Sequence, residues 1–325
     1  MKAFFAGALG VLSLFVPTQV SAQVSAQAQN WPAQTITIVV PFTPGGSNDV
    51  TARLLAPELQ MRLGQSVIIE NKPGSGGYVG VGSVARAKPD GYTLLISSAS
   101  SHVFANLTKK DSNYDPRKSF EAIGLINDVP LALSIWPGLG VKSLADLINI
   151  AKSRPEGLFF GSSGTGSSTH FAGELFAMKT GTKLTHVPYP GGSQALTDLI
   201  SGRIQLAWLT LPTASAQGAA GTIQNLGITS LERTSVSPLP TVMELGLPGY
   251  YVGSWTGLFA PQGVSPAVRA RLAKELREIV ADPAFQKRLV DIGSVPAWKG
   301  PEQTDEFIRA EFALWEPVVR KVEEK

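Results

Sequence analysis

Two stretches of this chain read as a strand running into a Gly/Ser-rich loop that opens a helix: ITIVVPFTPGGSNDVTARLL around Pro41–Asp49 and LFFGSSGTGSSTHFAGELF around Gly161–His170. Such a junction aims free backbone N–H groups and small hydroxyls at one point, which holds carboxylates and phosphates without a formal positive charge. The two stretches lie far apart in a sequence that has no metal-ligand spacing and no nucleophile motif. The pattern predicts two lobes gripping one anionic ligand from opposite sides.

The N-terminus begins Met1-Lys2, continues with the uncharged run Ala3–Val16 and reaches small residues ending at Ala22. This predicts a signal peptide over residues 1–22, with Ala26 as a second cleavage candidate, and a periplasmic mature protein. The apolar run is shorter than the roughly 20 residues that span a bilayer. Cys is 0, which excludes a disulfide framework and a lipidated cysteine. The formal net charge of +3 comes from dispersed Lys and Arg, with no basic block to track nucleic acid. His102, His170 and His186 lack paired ligand spacing, so no metal is expected, and no cofactor either. A mature chain of about 300 residues is long for one core, which again favours two lobes. A monomer is expected.

Short β-rich runs alternate with amphipathic helical patterns, predicting an α/β architecture with mainly parallel sheets. The strand candidates are Thr35–Val40, Val67–Glu70, Thr93–Ile96, Leu131–Trp136, Leu158–Phe160, Leu206–Leu209 and Asn225–Thr229; His186 ends a further short one. Ser143 with Asp146 resembles a capping box before Leu144 and Leu147. Phe171, Leu175 and Met178 mark one face of a helix from near Ser168 to Gly181. Ser193 opens another, with Leu196, Leu199 and Ile200 inward and Gly202 as its stop. Ser265-Pro266 begins the helix carrying Val268, Leu272, Leu276 and Ile279. Glu302–Lys325 is helical by period, but Pro317 should kink or break it, as Pro57 should the first helix. The lobes are expected to join through strands that cross directly between them.

The chain resembles the Bug-type solute-binding receptors of tripartite tricarboxylate transporters. The resemblance is carried by PFTPGGSNDVTARLLAPELQMRLGQSVIIENKPGSGGYVG, AKPDGYTLL, YDPRKSF, SSGTGSSTHFAGELF, HVPYPGGSQALTDLISGRIQLAW, PLPTVMELGLPGY and SWTGLFAP, from about Trp31 to the C-terminus. It implies a type II periplasmic-binding-protein fold, with two α/β lobes around a ligand cleft and delivery of an organic acid to a membrane permease. Lobe 1 is expected over residues 31–129 and 251–325, and lobe 2 over 130–250. In this family the two loops form the jaws, often with bridging waters. That role is carried to Pro44, Gly45, Gly46, Ser47, Asn48 and Asp49, and to Ser163, Gly164, Thr165, Gly166, Ser167 and Ser168. On the residues themselves, glycines allow close backbone approach, Ser47 and Asn48 donate, and the second loop's hydroxyls and amides suit another carboxylate.

Asp49 has two readings: a first-turn carboxylate satisfied by local N–H groups and the helix dipole, which is favoured, or a partner for a ligand ammonium. His170 and His102 are candidates for ligand hydrogen bonds. Family members commonly place Asp-Asn just before Leu-Pro after a strand, whereas here the segment is Trp208-Leu209-Thr210-Leu211-Pro212. Leu209 cannot pair with an amino group, so an acid without an ammonium is expected. Trp208 and Trp255, if they reach the cleft with Thr210, would enclose an aromatic ring; as core residues they would not. A rigid dicarboxylate such as terephthalate is the choice this suggests.

Other classes fare worse. Gly74-x-Gly76-x-x-x-Gly80 follows a strand as a dinucleotide loop would, but it follows the second strand and lacks a placed acidic partner; a tight turn and close helix packing fit better, with Tyr78 at the cleft rim. Neither Gly/Ser loop is a G-x-S-x-G elbow, so a hydrolase is not expected. A periplasmic sensor needs the same closed form as a transport receptor and is not separable from it by sequence.

Overall fold

The computed structural model describes residues 31–109 and 112–323; the leader expected over residues 1–22 lies outside them. Among the described residues, eleven strands form two sheets. The six-stranded sheet has β1 (Ile36–Val40), β2 (Val67–Asn71), β3 (Thr93–Ser98), β4 (Phe120–Asp128), β10 (Trp255–Pro261) and β11 (Val295–Lys299), in the order β11-β4-β10-β3-β1-β2. The five-stranded sheet has β5 (Leu131–Ile135), β6 (Leu158–Ser162), β7 (Leu184–Pro188), β8 (Leu206–Thr210) and β9 (Gln224–Ile228), in the order β7-β6-β8-β5-β9. Each sheet with its helices is one lobe.

The sheets are mixed, which corrects the expectation of mainly parallel ones. β1 pairs in parallel with β2 and β3, and β6 with β7 and β8. The strands that arrive from the other lobe run the opposite way: β10 is antiparallel to β3 and β4, and β5 to β8 and β9. The crossings lie side by side and are stitched together. Val129 N–H donates to the Ser254 carbonyl at 2.9 Å, Thr229 N–H to the Leu131 carbonyl at 2.9 Å, and Thr229 Oγ1 to the Val252 carbonyl at 2.7 Å.

All seven full strand candidates form, with ends shifted by one or two residues. β4, β10 and β11 were not anticipated as strands; β11 begins Val-Pro, and β4 ends in Asn-Asp, which mask their pattern. The capping signals hold. Ser143 Oγ accepts from Asp146 N–H at 3.1 Å, Ser265 Oγ accepts from Val268 N–H at 3.3 Å, and Gly181 closes the helix Ser168–Thr180 in the left-handed conformation. Neither interior proline breaks its helix: Ser47–Leu63 runs through Pro57 and Pro301–Glu323 through Pro317. Burial of Leu55, Leu59 and Leu63 in the first, and of Ile308, Phe312, Trp315 and Val319 in the second, outweighs one missing backbone hydrogen bond.

The helix Ser168–Thr180 buries Phe171, Ala172 and Phe176, not the face through Leu175 and Met178. Ile200 is exposed, while Ala195 and Leu199 point inward in its place. The helix Ser168–Thr180 lies so close to its sheet that a Cβ at Gly173 would run into the Phe160 ring. Gly173→Ala is therefore expected to overpack this seam and to lower stability by about 1–3 kcal/mol. Urea unfolding measures it, and a variant as stable as the parent would show that the seam has slack.

Candidate functional site

Between the lobes lies a cleft with about 470 Å³ of empty space. Four helices begin at its walls. Gly46, Ser47 and Asn48 open the helix Ser47–Leu63, Ser163 and Thr169 flank the start of Ser168–Thr180, Gly192 starts Gly192–Ile200, and Thr210 precedes and Thr213 lies in the first turn of Leu211–Ala219. The first and third have no side-chain cap, so their first-turn N–H groups stay available to a ligand; the fourth also lacks one, but its Leu211 N–H donates to the Pro130 carbonyl at 2.8 Å and Pro212 has no N–H, which leaves that of Thr213. Ser98, Ser100 and Ser254 add hydroxyls, and Phe42, Trp208 and Leu209 supply the apolar wall. No charged side chain lines the cleft among the described residues. Helix termini and hydroxyls in a charge-free wall are arranged to hold an anion by dipoles.

The structure divides the expected first jaw. Gly46, Ser47 and Asn48 face the cleft; Pro44 and Gly45 meet Ser193 of the other lobe instead, and Asp49 serves the loop. Asp49 is 1% exposed and accepts from Gly45 N–H at 3.0 Å, Asn71 Nδ2 at 3.0 Å and Arg53 Nε at 2.8 Å. Burial pushes its carboxyl up, but the hydrogen bonds from Arg53, Gly45 and Asn71 outweigh that and hold its pKa below the usual value. Its two oxygens are occupied by the loop and by Arg53, as the structural reading requires.

In the second loop only Ser163 faces the cleft. Ser167 Oγ caps the helix by accepting from His170 N–H, and Ser168 crosses to the other lobe, its Oγ 2.7 Å from Ser100 Oγ. Gly164 and Thr165 line a separate groove with Gly74–Gly76, and the Gly166 N–H donates to His170 Nδ1 at 3.3 Å. The lobes also meet at the other rim, where Thr43 Oγ1 donates to Gln194 and Ser193 Oγ to the Pro44 carbonyl. Trp255 is core: its Nε1 donates to Glu311 at 3.2 Å and its ring packs edge-on to His102 and Phe307. Trp208 is fully buried with its ring edge-on to Phe160, and only borders the cleft. The tryptophan pair that would enclose an aromatic ring does not assemble.

The TctC model, tripartite tricarboxylate transporter family receptor, matches residues 51–323. The chain belongs to this family. Protein BugT of Bordetella pertussis is 35% identical over 96% of both chains. R. palustris Rpa4515, solved with adipate, is 37% identical with a TM-score of 0.87 over 90% of this chain and 99% of its own. MatC of Rhodopseudomonas palustris, solved with bound malate, is 31% identical with a TM-score of 0.83 over 89% and 100%. The chain is thus a Bug-type receptor with the two-lobed periplasmic-binding-protein fold, and its relatives are solute-binding receptors, not enzymes. The glycines of the supposed dinucleotide loop are accounted for by packing: a Cβ at Gly80 would lie 2.7 Å from the Lys72 carbonyl oxygen and 2.8 Å from Pro41.

The receptor's third wall escaped the sequence reading, and of the fourth only Thr210 was anticipated. A signal for the third was present, since Pro190-Gly191-Gly192-Ser193-Gln194 repeats the pattern of Pro44-Gly45-Gly46-Ser47-Asn48. Each motif opens a helix, one in each lobe. Thr213 and Ser254 carried no such sign; only the register of their elements brings them in.

Behind the receptor's second jaw, the rings of His170 and His186 stack with centroids 4.0 Å apart, and His186 Nε2 pairs with Ser162 Oγ at 2.6 Å. Burial lowers the pKa of His170 to about 4; burial, then the neighbouring His170, lowers that of His186 to about 3. Buried His102, also lowered by burial to about 3, lies in the lobe 1 core stacked on Phe259. A histidine whose folded pKa is depressed leaves the unfolded chain binding more protons. Its contribution is complete above the unfolded pKa of about 6.5 and falls by ~1.4 kcal/mol per pH unit below it, until the folded pKa is reached. Unfolding free energy is expected to drop from pH 6.5 toward pH 4. His170→Gln should make that slope shallower by about one proton; an unchanged slope in urea titrations would refute its burial as a neutral group.

Proposed function

We propose that this receptor works in the periplasm, captures an organic dicarboxylate that lacks an ammonium group, and passes it to the membrane subunits of a tripartite permease. The observation that carries this is the cleft wall: helix N-termini and hydroxyls converge there without one charged side chain. Carboxylates find donors on both lobes, whereas an ammonium finds Leu209 where related receptors commonly place an acid. Adipate and malate in solved relatives agree with this class. With Trp255 in the core, the tryptophan pair that would enclose an aromatic ring does not assemble, so aliphatic diacids, as in the solved relatives, are favoured over terephthalate.

Closure is the means of capture. Lobe 1, residues 31–129 and 251–325, and lobe 2, residues 130–250, pivot at the stitched crossings, and the ligand selects the closed state by bonding to donors of both. The hydrogen bonds Ser100–Ser168 and Thr43–Gln194 then seal the two rims.

The chain from Gln23 onward should be unfolded thermally with adipate, malate, terephthalate, citrate and amino acids. An acid at 100 times its dissociation constant adds about 2.7 kcal/mol, a rise of several degrees. Aliphatic dicarboxylates are expected to give the largest rise, and a rise with amino acids alone would sink the reading. Leu209→Asp sets a carboxylate against the ligand's own and should weaken dicarboxylate binding about tenfold or more. Gly46→Asp should do the same from the first jaw.

A further inference from the structure

The six-stranded sheet carries a row of polar side chains that continues from the cleft into the protein. Ser98 on β3 lies directly opposite Thr256 on β10, and Thr256 directly opposite Asn127 on β4. Directly opposed residues point to the same face, so these three side chains stand side by side. Ser98 lines the cleft, as does Ser254, two residues before Thr256. The row therefore has its open end at the cleft floor.

Its inner end is closed off from solvent and chemically incomplete. Thr256 is 0% and Asn127 1% exposed, yet Thr256 Oγ1 and both Asn127 side-chain atoms have no hydrogen-bond partner in the protein. Asn48, on the cleft wall and 3% exposed, has an equally unpartnered Nδ2. Buried amides and hydroxyls are destabilising when unpaired, and folded proteins pair nearly all of them, with ordered water where no protein group reaches. Amide and hydroxyl groups both donate and accept, so the row suits water and carboxylate oxygens alike.

We propose that Asn127 and Thr256 form a buried subsite beneath the cleft floor, which holds ordered water in the free receptor. The distal carboxylate of a dicarboxylate bonds to this water or takes its place, while the other carboxylate stays at the helix N-termini. The subsite thus selects for a second polar group, and it rests on the dicarboxylate reading above. Its neutral side chains match the uncharged wall of the rest of the cleft.

A crystal structure of the free receptor tests the hydration directly. Water within hydrogen-bond distance of both Asn127 and Thr256 is expected; a dry row, with the Asn127 amide turned onto Thr256, overturns the proposal. The ligand role is tested with adipate and hexanoate, which share six carbons and differ in the second carboxylate. Calorimetry is expected to show adipate preferred by the parent, about tenfold less preferred by Thr256→Val with hexanoate affinity unchanged, and fully preferred again by Thr256→Ser. Equal losses for both acids, or none, refute the subsite as a selector. Failure of both acids to bind the parent refutes the dicarboxylate reading instead, and the row is then judged on the crystal structure alone.

Discussion

The structure depends on a constraint of backbone chemistry: the first turn of every helix has N–H groups with no partner inside the helix. Four helices in this chain spend that unsatisfied end on one cleft, and three of them leave it without a side-chain cap. A capped terminus is stabilised locally by roughly 1 kcal/mol, so leaving those at Ser47 and Gly192 uncapped around one cavity is a standing cost that a bound anion removes. The sheet order makes this convergence possible. β1, β6 and β8 all end at the cleft, and the helix that follows each of them starts there.

The proposed closing of two lobes on a small solute demands that backbones approach without side chains between them. At one rim a Cβ on Gly76 would lie 2.7 Å from the Thr165 carbonyl oxygen, and one on Gly164 would lie 3.1 Å from the Gly76 amide nitrogen. At the other, a Cβ on Gly191 would collide with Thr43 Oγ1. These glycines let the loops meet while Ser100, Ser168, Thr43 and Gln194 make the bonds. The two crossings are joined where the Val129 N–H donates to the Ser254 carbonyl, so the proposed closure has one hydrogen-bonded join to pivot about.

Much of this was legible in the sequence because it is written in local chemistry. Ser143, Ser265 and Gly181 announce helix ends through side-chain and backbone preferences that need no tertiary context, and parallel strands such as Ile36–Val40 show as unbroken β-branched runs. The first jaw was legible for the same reason, since glycines, Ser47 and Asn48 are adjacent in the chain. What escaped depends on neighbours distant in sequence. Thr256 and Asn127 look unremarkable until strand pairing sets them opposite each other, and Trp255 looks like a ligand contact until Glu311 takes its N–H. Pro57 and Pro317 show the same limit from the other side: the local rule forecasts a break, and tertiary burial overrides it.

The cleft stays free of charge because its ionisable neighbours are neutralised one layer back. Asp49 sits one residue beyond the wall residue Asn48, but Arg53, Asn71 and the Gly45 amide absorb its charge. His170 and His186 stand behind the second jaw as neutral rings, held so by burial. An unshielded carboxylate at Asp49 would oppose an incoming acid, and a protonated His170 would attract any anion regardless of its shape. With both removed, attraction comes only from short-range dipoles, which fall off within one helical turn. Selectivity under the proposed function then rests on where the ligand's oxygens lie, because a misplaced carboxylate loses its hydration and gains no donor in exchange.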